Sequence, residues 1–185
     1  MKIVLHICCG VCAAGAVEKL ISEGHEVHGL FYNPNIHPKE EYERRLEIAY
    51  RVAKELNFSL EAGPYVPEEW FTATKSLEDE PEGGKRCEIC FRLRLRKTYL
   101  NLENCGWDAF ATTLTISPRK SVEVVNQVGY EVGGDQFLAR DFKKKAGYQK
   151  AIELAKKWDL YRQHYCGCQY SQCQRIASSQ TGLTR

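Results

Sequence analysis

Hydrophobic and polar positions along this chain follow two alternating periods. An almost unbroken apolar run over residues 2–7 (KIVLHI) predicts a buried strand. Residues 12–23 follow with helical spacing that puts Val17, Leu20 and Ile21 on one face, and Gly24 supplies the stop. Residues 25–32 (HEVHGLFY) predict a second strand, and the turn Asn33-Pro34-Asn35 leads into a charged amphipathic helix over 39–56 that buries Leu46, Ala49, Ala53 and Leu56. Shorter strand patterns lie at 58–61, 108–116 and 137–139, and a helix at 148–158. The segment FRLRLRKTYLNLENCG also has an alternating look, but Phe91, Leu95, Thr98 and Leu102 keep helical spacing and Gly106 ends it, so it is assigned to a helix. Such β-α-β alternation predicts a three-layer α/β sandwich, a parallel sheet covered on both faces with its site beyond the carboxyl ends of the strands. With no internal repeat or linker, residues 1–185 are expected to form a single domain.

Composition narrows the setting. A hydrophobic content of 43% supports a core without disulfides. The first apolar run is too short for a signal-peptide core or a membrane span, so a cytoplasmic protein with no membrane partner is expected. In a reducing compartment, nine cysteines in tight groups point to metal binding or redox chemistry. The net charge of +2 is unevenly spread, acidic over 68–82 and basic at Arg86, Arg92, Arg94 and Arg96 and again over 119–120 and 140–145. That distribution permits a nucleic-acid partner, although solvated helix faces are the plainer explanation.

The cysteine spacing carries the chemistry. The first strand runs into Cys8-Cys9-Gly10-Val11-Cys12, at the strand-to-helix turn where α/β proteins hold their ligands. A helix N-terminus favours anions, and so favours thiolates ready to bind metal. Cys87 and Cys90 form a CxxC after a glycine pair, a spacing that serves zinc, an iron–sulfur cluster or dithiol exchange alike. Cys166-Gly167-Cys168 is the third group, while Cys105 and Cys173 stand apart as incidental thiols. Seven grouped cysteines are too many for one four-thiolate site and too few for two, which suits one cluster beside a second metal with open positions. An extended chain through Cys8 and Cys9 would aim their thiols in opposite directions, one to each centre. No GxGxxG, GxxxxGK[ST] or SGGxDS loop follows the first strand, so ATP or NAD is not expected there.

CCGVC, GKRCEICFRLRL, TTLTISPRK, DFKKKAGY and LYRQHYCGCQYS, in this order, make the chain resemble the cobalamin-independent epoxyqueuosine reductases, the QueH family. The resemblance spans nearly the whole sequence. It implies a fold like the adenine nucleotide α-hydrolases (HUP, Rossmann-like) with the nucleotide loop replaced by cysteines, and reduction of epoxyqueuosine in tRNA to queuosine. It also implies a [4Fe-4S] cluster beside a mononuclear metal, with iron the expected identity, and a separate electron donor that nothing in the sequence identifies. The cluster ligands would come from Cys8, Cys9, Cys87, Cys90, Cys166 and Cys168, and the full metal-binding set would add Cys12 and Asp141. Asp141, the carboxylate inside DFKKKAGY, is the candidate oxygen ligand or proton relay; helix capping or pairing with the lysines of its own motif is the simpler role. Arg86, Arg92, Arg96 and Lys143 to Lys145 are candidate phosphate contacts, and Tyr165, Tyr170 or Phe91 a stacking platform for an unpaired base. The chain departs from the family's usual CCAPC at Gly10 and Val11, and carries Arg119 where histidine is common. A zinc-binding nucleic-acid module is the alternative, though its usual paired CxxC spacing fits CCxxC and CxC less well.

Overall fold

The computed structural model describes residues 1–144 and 146–172. In chain order it contains β1 (Lys2–His6), α1 (Gly10–Ser22), β2 (Glu26–Phe31), α2 (Lys39–Leu56), β3 (Ser59–Ala62), α3 (Pro67–Ala73), α4 (Lys85–Cys105), β4 (Ala109–Thr112), α5 (Val122–Gly133) and α6 (Gly147–Lys157). The four strands are parallel in the order β3-β2-β1-β4, and a single bridge from Phe110 to Phe137 extends the outer side of β4. Strand order therefore reverses between β1 and β4, which opens a crevice at their carboxyl ends.

The pleat of β1 divides the core. Ile3, Leu5 and Ile7 point into the layer of α1, α2 and α6, whereas Val4 joins Phe91 and Leu95 of α4 and Val125 and Val128 of α5 on the opposite face. The three-layer expectation holds, with some local corrections. Helix α1 starts at Gly10, so Cys12 lies in its first turn, and Ile21 is exposed instead of facing the core. The strand expected over 108–116 ends at Thr112, because the Thr112 Oγ1 accepts the Leu114 N–H at 3.1 Å and caps a 3₁₀ turn over Thr113–Ile116. The strand expected at 137–139 is reduced to the one bridge. Helices α3 and α5 had no counterpart in the pattern reading, although Ser121, whose Oγ accepts the Val124 N–H at 3.2 Å, is a recognisable cap for α5.

Candidate metal centre

Cys9 keeps extended backbone (φ −172°, ψ 162°), but the helix begins at the next residue and the thiols of Cys8 and Cys9 do not part to separate centres. Cys9 is the residue preceding α1, and the change of direction there brings the sulfurs of Cys8, Cys9 and Cys12 all within 4.8 Å of one another. Thr113, just past β4, fastens this turn across the crevice: its Oγ1 accepts the Cys8 N–H at 3.0 Å and donates to Cys8 Sγ at 3.2 Å. Gln163 Nε2 donates to Cys9 Sγ at 2.9 Å. Hydrogen bonds from the Cys12 and Cys9 thiols hold Cys8 well below the usual thiol range. For Cys9 the Cys12 hydrogen bond lowers the pKa, but the Cys8 interaction and burial push it up to about 12. The Cys8 and Cys9 hydrogen bonds, with burial, push Cys12 well up. The three thiols thus ionise unequally, with Cys8 the most acidic of them.

The other grouped thiols meet elsewhere. Cys87 and Cys90, in the first two turns of α4, line one cavity of about 70 Å³ together with Cys166 and Cys168. Gly83 N–H donates to Cys87 Sγ at 3.2 Å. Burial pushes Cys87 and Cys90 up. The hydrogen bond from Cys168, aided by the nearby Lys120 ammonium, pulls Cys166 down to about 5, and Cys168 is raised in turn. Trp70 of α3 packs with Cys90 and Cys168 and lines the cavity. Buried Asn35 also lines it, with an Oδ1 that has no hydrogen-bond partner among the described residues. Four thiols around one small cavity fit a thiolate-ligated cluster.

Two cations that pattern reading left among solvated charges belong to this interior. Arg94 is buried, with its Nε donating to the Cys90 carbonyl at 3.1 Å, and it lines the four-thiol cavity. Lys120 lines that cavity and also a second one that reaches Cys12. Burial alone would lower the Lys120 pKa, but the Cys8, Cys166 and Cys12 thiols hold it above the usual range, so the ammonium stays charged. Lys143 Nζ donates to the Lys120 carbonyl at 2.8 Å and fixes this loop.

Other expectations need correcting. Arg86 is buried and its Nη1 donates to the carbonyls of Leu77, Glu78 and Glu80 at 2.9, 2.8 and 2.5 Å, so it organises the loop before α4 and presents no surface to a phosphate. Arg92 pairs with Glu131 and lines a separate surface depression with Arg96. Lys145 and Cys173 lie outside the described residues. Tyr170 packs against Trp70 and beneath the Arg86 guanidinium, and Phe91 is buried, which leaves Tyr165 as the one proposed platform that lines the second cavity. Asp141 is half-buried before α6, where its Oδ1 accepts the Lys143 N–H at 3.0 Å, and it lines neither thiol cavity. The carboxylate that borders both is Glu82, held by Ser171 Oγ at 3.1 Å and hidden in the sequence within an acidic run. Cys105 is exposed at the end of α4 and joins neither thiol group among the described residues.

Comparison with known proteins decides the family. The profile for "Epoxyqueuosine reductase QueH" matches residues 3–174. The chain belongs to the QueH family. The QueH epoxyqueuosine reductase of Streptococcus pyogenes serotype M1 is 41% identical over 180 residues, covering 92% of this chain and 70% of the relative. That of Thermotoga maritima is 36% identical, covering 94% and 91%. Among solved structures, a predicted subunit of tRNA methyltransferase from Methanocaldococcus jannaschii superposes with a TM-score of 0.56 at 15% identity over 84% of this chain and 74% of its own. The U34-tRNA thiolase NcsA from Methanococcus maripaludis, which carries a [4Fe-4S] cluster, gives 0.56 at 12% identity over 92% and 61%. These likenesses place the QueH chain in the adenine nucleotide α-hydrolase-like fold, with cysteines where that fold carries its nucleotide loop.

Proposed function

We propose that this QueH chain reduces epoxyqueuosine in tRNA to queuosine, an oxidoreductase step that adds two electrons and two protons and releases the epoxide oxygen as water. The observation that carries the reading is the partition of the grouped thiols into a four-thiol cavity and a three-thiol turn, joined by Lys120. Cys87, Cys90, Cys166 and Cys168 would hold the [4Fe-4S] cluster, and Cys8, Cys9 and Cys12 the additional metal, for which iron is the proposed identity. When bound, these groups supply electrons one at a time and a Lewis acid for the epoxide oxygen.

The protein's own part is charge and protons. Lys120 Nζ, kept protonated by the thiols around it, is the donor we assign to the departing oxygen, because it borders both cavities. Glu82, bordering the same two cavities, is placed to return a proton to the Lys120 side of the site from solvent. Buried Arg94 offsets the negative charge that four thiolates bring into a low-dielectric interior. Asp141 acts on this arrangement at one remove: it shapes the turn from which Lys143 grips Lys120. Its role is thereby positioning.

The test is elemental and optical. Anaerobically purified protein should be brown, with about four cluster irons and acid-labile sulfides plus up to one further metal. Zinc alone, without sulfide, would refute the assignment and favour a structural zinc module.

A further inference from the structure

The second cavity differs in kind from the first. At about 380 Å³ it lies within the roughly 300–1,000 Å³ typical of small-molecule sites. The four-thiol cavity, at about 70 Å³, has no room for a base. Cys12 and Lys120 are half-buried parts of its lining, whereas Arg119 and Arg162 are exposed. Tyr148 and Ile152, one turn apart on α6, present a ring and an aliphatic side chain to it.

The two arginines sit on different segments, and both segments are held. Arg119 belongs to the loop after β4 that Lys143 grips through the Lys120 carbonyl at 2.8 Å. Arg162 belongs to the segment after α6 whose end is clamped by Arg45 of α2, with Nη2 donating to the Tyr165 carbonyl and Nη1 to that of Cys166, each at 3.1 Å. Arg119 Nη1 reaches the His164 carbonyl at 3.4 Å, so the segments meet at the cavity. Two exposed guanidinium groups carried on held segments in the lining of one cavity suit a phosphate, and the tyrosine rings beside them suit a base. A base stacked within its own strand could not bring a ring substituent down to Cys12 and Lys120.

We propose that this cavity receives one nucleotide extruded from its RNA strand, with the phosphate seated between Arg119 and Arg162 and the base against Tyr148. The inference rests on the reductase reading for the identity of the nucleotide, but its test reads binding and not turnover.

The probe is an RNA stem-loop hairpin carrying epoxyqueuosine, with 2-aminopurine as the adjacent base, mixed anaerobically with the metal-loaded protein. Extrusion unstacks 2-aminopurine, so its fluorescence should rise on binding; no rise would mean the nucleotide stays in its stack, which overturns the proposal. Arg119→Gln and Arg162→Gln should each weaken hairpin binding several-fold and lower the slope of log affinity against log salt by about one. Lys54→Gln, in the last turn of α2 at the opposite end of the strands, should change neither. An unchanged salt slope in both arginine variants, with visible spectra like wild type, would overturn the phosphate seat. Wild-type protein that unstacks the hairpin but never reduces it would instead refute the reductase reading while leaving the cavity assignment standing.

Discussion

Arg45 Nη1 donates to the carbonyl oxygen of Cys166 at 3.1 Å, tying the middle of α2 to a thiol 121 residues further along the chain. The same guanidinium is buried, pairs with Glu41 at 2.7 Å and lies over the Tyr165 ring, while Tyr161 OH donates to Glu41 Oε2 at 2.9 Å. This ion pair helps to fix the segment that carries both Cys166 and Cys168, together with the His37 N–H that donates to the Gly167 carbonyl at 2.8 Å.

Arg45→Ala leaves Glu41, whose side chain is only 10% exposed, without its cation, a loss of up to about 3 kcal/mol by analogy with other broken buried pairs. The expected outcome is a lower urea midpoint for metal-free protein and depleted iron and sulfide in metal-loaded protein. Arg45→Lys keeps the charge but cannot make the paired contacts, and should fall between. Normal iron content in Arg45→Ala would show that the thiols hold their own segment.

The two thiol groups should fail differently. Cys87→Ala is expected to abolish or severely deplete the visible chromophore, and Cys12→Ala to keep it while losing the further metal and turnover. Asp141→Ala should also keep the chromophore and lower activity, because the turn that presents Lys143 loses its Oδ1 acceptor. Bleaching by Cys12→Ala would reassign the turn after β1 to the cluster, and full activity in Asp141→Ala would remove that residue from the mechanism.

Much of this was legible in the sequence, for identifiable reasons. The long helix α2 fell where its apolar period put it, and the α4 face of Phe91, Leu95, Thr98 and Leu102 is buried as its spacing required. Motif order was enough to recognise the family. Sequence pattern failed where tertiary contacts override local preference. Arg45 and Arg94 look like surface charges on helices, yet each is buried because its partners come from carbonyls or carboxylates that face inward. The opposite-facing Cys8 and Cys9 presumed a strand continuing past His6, whereas the chain leaves the sheet there to enter α1. Lys120 closes the SPRK motif, and its place in that motif was the available signal for its role.

Gly10 has a packing reason. A Cβ on it would lie 2.4 Å from Ile48 Cγ2 and 2.9 Å from the Ile48 carbonyl carbon and oxygen, so α1 and α2 touch here almost backbone to side chain. Gly10→Ala should destabilise the protein by about 1–3 kcal/mol because α2 must shift. Chemical denaturation of metal-free protein reads this, and unchanged stability would mean that α2 moves freely.

Thiol ionisation gives a pH dependence. In metal-free protein Cys166, drawn down to about 5 by its hydrogen bond from Cys168 and by Lys120, is a thiolate at neutral pH, whereas an ordinary thiol at 9.0 is mostly protonated. Iodoacetamide reacts with the thiolate, so labelling of Cys166 should be nearly flat with pH above about 6 and fall only as pH drops through about 5. Cys168, raised by the same interaction, should be labelled more slowly. Peptide mapping by mass spectrometry resolves the two, and a Cys166 rate that climbs about tenfold per pH unit through neutrality would contradict the assigned ionisation.

The central claim is a reductive deoxygenation, and the mass of the product nucleoside tests it most directly. Metal-loaded protein, incubated anaerobically with a chemical reductant and tRNA carrying epoxyqueuosine, should yield queuosine on digestion, lighter by one oxygen atom, with none formed when the protein is metal-free. Recovery of unchanged epoxyqueuosine from the loaded, reduced protein would contradict the account.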